Sequence, residues 1–194
     1  MNFEEIKASQ IRTIPANFQT REENGDLIIE GYFAVFDKPY FYSDEVFETV
    51  DPGAFANTLS ADIRALTNHV HHLVLGRNKS NTLTLREDDL GLFGQIKVNP
   101  KDRDAVNLYE RVKRGDVDQC SFGFDIIREQ TDLLEDGRVH VRIQEARLYE
   151  VSVVTFPAYE DTGVVAREKN AKEAKAKAGA AWREAMIKKL KGEQ

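Results

Sequence analysis

Turn words recur along this chain: Asn24-Gly25, Asp88-Asp89 ahead of Gly91, and Asp136-Gly137, each set between segments rich in β-branched and aromatic residues. Segments that short do not make ordinary helices, and Asn-Gly and Asp-Gly pairs tolerate the left-handed backbone that tight hairpins require. The pattern therefore predicts a chain built mostly of strands. DLIIEGYFAVF, following Asn24-Gly25, completes two paired early strands between Ile11 and Phe36. TLTLRED and GLFGQIKV alternate and form a further hairpin. CSFGFDIIRE follows, and then VHVRIQEARLYEVSVVTF, long enough for two strands or for one strongly bent strand. That gives at least six strands.

One stretch departs from this rhythm. Between Lys101 and Arg114, Ala105, Leu108, Tyr109 and Val112 recur at helical spacing, Lys113 and Arg114 suit the negative end of a helix dipole, and Gly115 can end it. A shorter helical segment is expected after Asp51-Pro52-Gly53, where an acid can cap and a proline fits a first turn. The fold class predicted is α+β: an antiparallel or mixed β-barrel or closed sheet with flanking helices. From Arg167 the text changes to REKNAKEAKAKAGAAWREAMIKKLKGEQ, with Trp182, Ala185, Met186 and Leu190 as its narrow apolar stripe. The chain accordingly divides into a folded domain, residues 1–166, and a charged helical or disordered tail, residues 167–194.

Composition narrows the function. A length of 194 residues suits one domain, and 33 acids against 27 bases, a formal net charge of −6, disfavour a nucleic-acid partner. One cysteine, Cys120, excludes an internal disulfide framework. The start, MNFEEIKASQ, does not read as a secretory signal, and no segment has the apolar length for a membrane span.

Three of the four histidines lie in NHVHHLVLGR, residues 68–77. A metal site would need three or four convergent ligands, and neither HExxH nor a cysteine set is present, so no metal is assigned. Ser121, in DQCSFGF, reads on composition alone as an ordinary strand serine. As a nucleophile it would need a base brought close by folding. Cys120 beside it is the alternative nucleophile, but neighbouring strand positions face opposite ways, so the two cannot both address one histidine.

Six stretches in order, GYFAVFD, DPGAF, DIRALTNHVHHLVLGR, TLTLREDDLGLFGQI, RGDVDQCSFGF and LYEVSVVTFPAYEDT, give residues 10 to 165 a resemblance to the tailed-bacteriophage prohead proteases. These are capsid-maturation serine proteases distantly similar to the herpesvirus assemblins. The resemblance implies an assemblin-like fold, His69 as general base, Ser121 as nucleophile, and no cofactor. His71 and His72 fall where relatives carry assorted polar residues, and Val70 stands where relatives commonly carry an acid or amide. Assemblins use a second histidine as third member, and here His140 lies outside the matching words. The phage members point instead to Glu150, whose place at the start of VSVVTF puts a carboxylate at the core edge, where an imidazole partner would offset its burial; Glu145 is the next candidate. By analogy the oxyanion or substrate loop is Arg114 and Gly115. The implied substrates are scaffolding protein, the scaffolding segment of the major capsid protein, and the enzyme itself, inside an immature shell in the host cytoplasm. Self-association is a further expectation. Two rivals remain: a non-catalytic capsid-assembly or scaffold module, and a cysteine peptidase using Cys120.

Overall fold

The structure, a computed structural model, describes residues 10–156 and, beyond them, Ala176 alone, so the call on the 167–194 tail lies outside the described residues but for that position. Eleven strands are present among the described residues: β1 (Gln10–Pro15), β2 (Gln19–Glu23), β3 (Asp26–Val35), β4 (Tyr40–Ser43), β5 (Val46–Val50), β6 (Arg64–Thr67), β7 (Val70–Arg77), β8 (Leu83–Glu87), β9 (Gly91–Val98), β10 (Gln119–Leu133) and β11 (Val139–Val154). The α-helix among them, α1 (Arg103–Arg114), lies where the apolar spacing places it. Asp102 caps it by accepting the N–H groups of Asp104 and Ala105, and Gly115 ends it at φ 85°.

The strands form two open sheets. One runs β2-β3-β9-β8; the other runs β1-β10-β11-β5-β4, with β6 added to β11 and β7 to β6. The expected barrel does not form, because β11 receives two separate strands in parallel on one edge: β5 along Val139–Ile143 and β6 along Glu150–Val153. Its other edge is occupied by β10. Two strands sharing one edge splay the sheet into two arms and leave no ends that can meet. VHVRIQEARLYEVSVVTF is thus one long strand rather than two.

Apolar side chains of the two sheets close on each other. Ile29, Phe33, Leu92 and Ile96 of the smaller sheet join Phe122, Phe124, Leu148 and Val151 of the larger in one buried cluster, which also takes in Ala105, Leu108, Tyr109 and Val112 of α1. The helix expected near Asp51 is absent. Residues 52–60 form successive turns, Gly53 adopts φ 84°, and the Asp51 carboxylate is held by the Arg142 guanidinium at 2.8 Å. A left-handed residue at the third position breaks a helix at its first turn.

The register of β11 decides which side chains leave the core. Gly123 of β10 pairs with Glu150 and Phe124 with Leu148, so Tyr149 is an extra residue, a β-bulge. Up to it Ile143, Ala146 and Leu148 face the core; after it Val151 and Val153 do. Side chains alternate with period two, so one inserted residue moves Glu150 and Ser152 to the outer face.

Gly94 of β9 lies against the smaller sheet's central ring, where a Cβ would sit 2.6 Å from Phe33 Cε2 and 3.0 Å from Leu85 Cδ2. Phe33 is wholly buried. Gly94→Ala is expected to lower unfolding stability by about 2 kcal/mol, seen as a lower urea midpoint at unchanged slope.

Candidate active site

The outer face of the larger sheet carries a row of polar side chains. Thr13 of β1 pairs with Ser121 of β10, and Ser121 pairs with Ser152 of β11. All three face away from the core, since Cys120 and Phe122, either side of Ser121, belong to it. Beyond β11 lies β6, and β6 turns into β7 through Asn68 and His69, both left-handed at φ 49° and 59°. Thr67 pairs with Val70 across this two-residue turn. Asparagine suits the first position of such a turn; histidine at the second is uncommon and has to be held there.

It is held by β11. The N–H of Asn68 donates to the Val153 carbonyl at 3.0 Å, and Asn68 Oδ1 accepts from Thr155 N–H at 2.9 Å. The backbone N–H of His69 donates to Ser152 Oγ at 3.2 Å. His69 Nδ1 lies 2.6 Å from Glu150 Oε1, and since a carboxylate only accepts, the ring carries a proton on that nitrogen. Glu150 is buried, and its Oε2 accepts from the Ser152 hydroxyl at 2.6 Å. His69 Nε2 is buried and has no hydrogen-bond partner. An imidazole whose Nδ1–H is fixed by a carboxylate presents a free lone pair at Nε2, the arrangement a general base needs.

Ser121 is fully buried on the same face, one strand removed from the histidine turn. Its hydroxyl donates to the Arg12 carbonyl at 2.8 Å and accepts from Thr13 Oγ1 at 3.2 Å. Arg12 is itself anchored on the core side, where its buried guanidinium donates from Nε to Glu48 Oε1 at 2.8 Å, reaches the Tyr42 hydroxyl, and lies over the Phe124 ring at 5.4 Å. Gly123 explains the glycine of SFGF: a Cβ there would fall 2.7 Å from Glu150 Oε1. The oxygen facing His69 occupies the space a side chain would take.

The other sequence assignments separate cleanly. Cys120 points into the core toward the carbonyls of Tyr32 and Phe33, and burial pushes its thiol up to about 12, so it is neither a thiolate nor on the histidine's face. This removes the cysteine-peptidase alternative. Arg114 and Gly115 do not offer an oxyanion loop: Arg114 is exposed and paired with Asp116, and the Gly115 N–H bonds the carbonyls of Arg111 and Val112 as part of the helix cap. The next N–H, of Asp116, also returns to Arg111. His140 stacks on Phe47 and its Nε2 lies 2.8 Å from Thr49 Oγ1, at the far end of β11 from His69; burial and then the nearby Arg142 charge lower its pKa. Glu145 accepts from Asn57 Nδ2 at 3.0 Å. His71 and His72 are exposed on β7, and no group of three or more metal-ligating side chains occurs among the described residues. Ser152, Thr13 and Arg12 were not singled out from sequence; a serine two residues past the acid in EVS was the available signal for the first.

Arg77 and Asp62 close the other end of the hairpin that carries His69. Arg77 donates from Nε and Nη2 to Asp62 at 2.7 and 2.6 Å. Gly76 sits in β7 with a negative φ, and its lack of a side chain admits the Thr82 carbonyl, 2.5 Å from where a Cβ would be. The hydrogen bonds from Arg77 hold the Asp62 carboxyl down, from an ordinary 3.8 to about 2. A carboxyl held low in the folded state stabilises it above pH 3.8 and loses that contribution as pH falls through 2. Asp62→Asn is expected to make the hairpin easier to open at neutral pH, read by amide exchange in β6 and β7. It should also flatten the acid loss of stability in that window. Gly123→Ala is expected to fold normally, because the atom it meets ends a flexible side chain, yet to displace Glu150 Oε1 and broaden the low-field proton resonance of His69 Nδ1.

The chain matches the protein family described as Caudovirus prohead serine protease over residues 15–177. It is 31% identical over 139 residues to the prohead protease of Enterobacteria phage HK97, an alignment that takes in 72% of this chain and spans 59% of that protein's length. Among solved structures, the capsid assembly protease of bacteriophage T4 aligns with a TM-score of 0.49 at 11% identity, covering 75% of this chain and 96% of the other. With a family match that covers most of its length, this chain belongs to the caudovirus prohead serine proteases.

Proposed function

We propose that the chain is a serine endopeptidase of prohead maturation in which Ser121 is the nucleophile, His69 the general base and Glu150 the group that orients and stabilises the imidazole. The observation that carries this reading is the His69–Glu150 pair, with its Nε2 buried and unpartnered, on the sheet face that bears Ser121. In the resting arrangement the serine proton is on the Arg12 carbonyl. Rotation about the Ser121 Cα–Cβ bond releases it and turns the hydroxyl toward Nε2.

Attack of Oγ on a peptide carbonyl then transfers the hydroxyl proton to Nε2, and the Glu150 carboxylate stabilises the imidazolium as it forms. Collapse of the tetrahedral intermediate breaks the C–N bond, and the proton leaves Nε2 with the amine. Water, deprotonated by the same nitrogen, cleaves the acyl-serine and restores the enzyme. No metal or cofactor takes part in this sequence. The substrates fitting the family are scaffolding protein or the scaffolding segment of the major capsid protein, within the immature shell, and the chain itself. Residues 167–194 are then a segment for shell incorporation or self-processing, outside the protease domain at 1–166.

Co-expression with the capsid and scaffolding proteins of the same virus tests this. Wild-type chain is expected to shorten its target, and Ser121→Ala to abolish the products, a loss of at least ~10³-fold. Cys120→Ala should cleave as wild type does. Products surviving in Ser121→Ala would remove the assignment. Intact targets with every form would favour the assembly-module reading.

A further inference from the structure

Ser152 makes two contacts that no part of the proposed chemistry uses. Its oxygen accepts the backbone N–H of His69, and its proton goes to Glu150 Oε2. One fully buried hydroxyl thus ties together the base and the acid that orients it. Each tie addresses a particular weakness. His69 stands at φ 59°, a backbone region that β-carbon-bearing residues rarely adopt, and its N–H would have no acceptor but for Ser152. Glu150 gives one oxygen to Nδ1 and is buried, so its second oxygen needs a donor if the carboxylate is to stay charged.

We infer that Ser152 is a positioning residue of the reaction: it fixes the His69 turn and the Glu150 carboxylate as a single unit, so that Nε2 points at a defined place on the outer face. The inference rests on the triad reading above. It assigns Ser152 no contact with substrate. The Tyr149 bulge is what makes the role available, because it turns residues 150 and 152 to the same side as Ser121.

Removing the hydroxyl has a directional consequence that lost packing does not. Without its donor, Glu150 stabilises the imidazolium less, so His69 gives up its proton more readily. The acid limb of the rate profile, where the base becomes neutral, moves to lower pH. The imidazole, less firmly aimed, also reacts more slowly on the plateau. A variant that was merely less folded would lose amplitude at every pH and keep its limb in place.

The test measures the labelling rate of the full chain by a fluorophosphonate probe as a function of pH, for wild type, Ser121→Ala and Ser152→Ala, together with the low-field proton resonance of His69 Nδ1. Ser121→Ala is expected to take no label. Ser152→Ala is expected to label about tenfold more slowly, with its acid limb lower by roughly half a pH unit and the Nδ1 resonance shifted or broadened. Wild-type-like labelling of Ser121→Ala, or no labelling of the wild-type chain, would bring down the triad reading and this inference with it. A silent Ser121→Ala beside a Ser152→Ala with unmoved limb and unmoved resonance would overturn the role of Ser152 alone. Should Ser152→Ala fail to fold, Ser152→Cys, of similar size and with a weaker donor, decides by the same two signals: a displaced limb supports the role and an unmoved one overturns it.

Discussion

Strand β11 is hydrogen-bonded along both edges, and one additional residue within it, Tyr149, sets the orientation of everything after it. The constraint is geometric. A strand locked on both sides cannot rotate to correct its phase, so an inserted residue has to be absorbed as a bulge, and the alternation resumes inverted. Before the bulge the strand supplies alternating core residues in the ordinary way. After it, Val151 and Val153 take over the core while Glu150 and Ser152 come out beside Ser121. The polar row on the outer face exists because of that inversion.

Around this row the electrostatics are arranged asymmetrically. His69 and Glu150 are joined, and Nε2 is left open in a buried position. Ser121 is satisfied elsewhere, by the carbonyl of a residue whose guanidinium is locked to Glu48 in the core. A buried ion pair of this kind is costly to break from one side, since the remaining charge is stranded, and it therefore fixes β1 firmly against β10. The serine is consequently held by a rigid neighbour rather than by a mobile side chain, and the single torsion of its own hydroxymethyl group separates the resting from the reactive arrangement.

Much of the strand content was legible because it is written locally. Asn24-Gly25 and Asp136-Gly137 are turns whose residue requirements are chemical, and α1 follows from the spacing of four apolar residues and a glycine stop. Long-range placement was not. Nothing in DIRALT or VFETV says that both pair in parallel with one edge of the same strand, and the barrel expectation failed on that point. The role of Arg114 and Gly115 was misread for a related reason: RGD resembles a loop, but Gly115 is the helix terminator, and a terminator's N–H is already engaged. Within the site, the nearness of His69 to Glu150 follows from a parallel pairing and a bulge, neither of which leaves a mark in the alphabet of the chain. The words SFGF and EVS locate the segments; only the register brings their side chains to one face.

Gly123 carries an implication for how such a sequence can be exchanged with its relatives. The room it leaves is filled by an oxygen from the neighbouring strand, so the fourth word of a β10 motif is a property of β11. A hybrid whose crossover fell between residues 121 and 150 would combine a vacancy from one parent with an acid placed by the other, and the two need not coincide. The span from the SFGF word through the EVS word therefore behaves as one heritable block, and recombination junctions that preserve the site belong outside it.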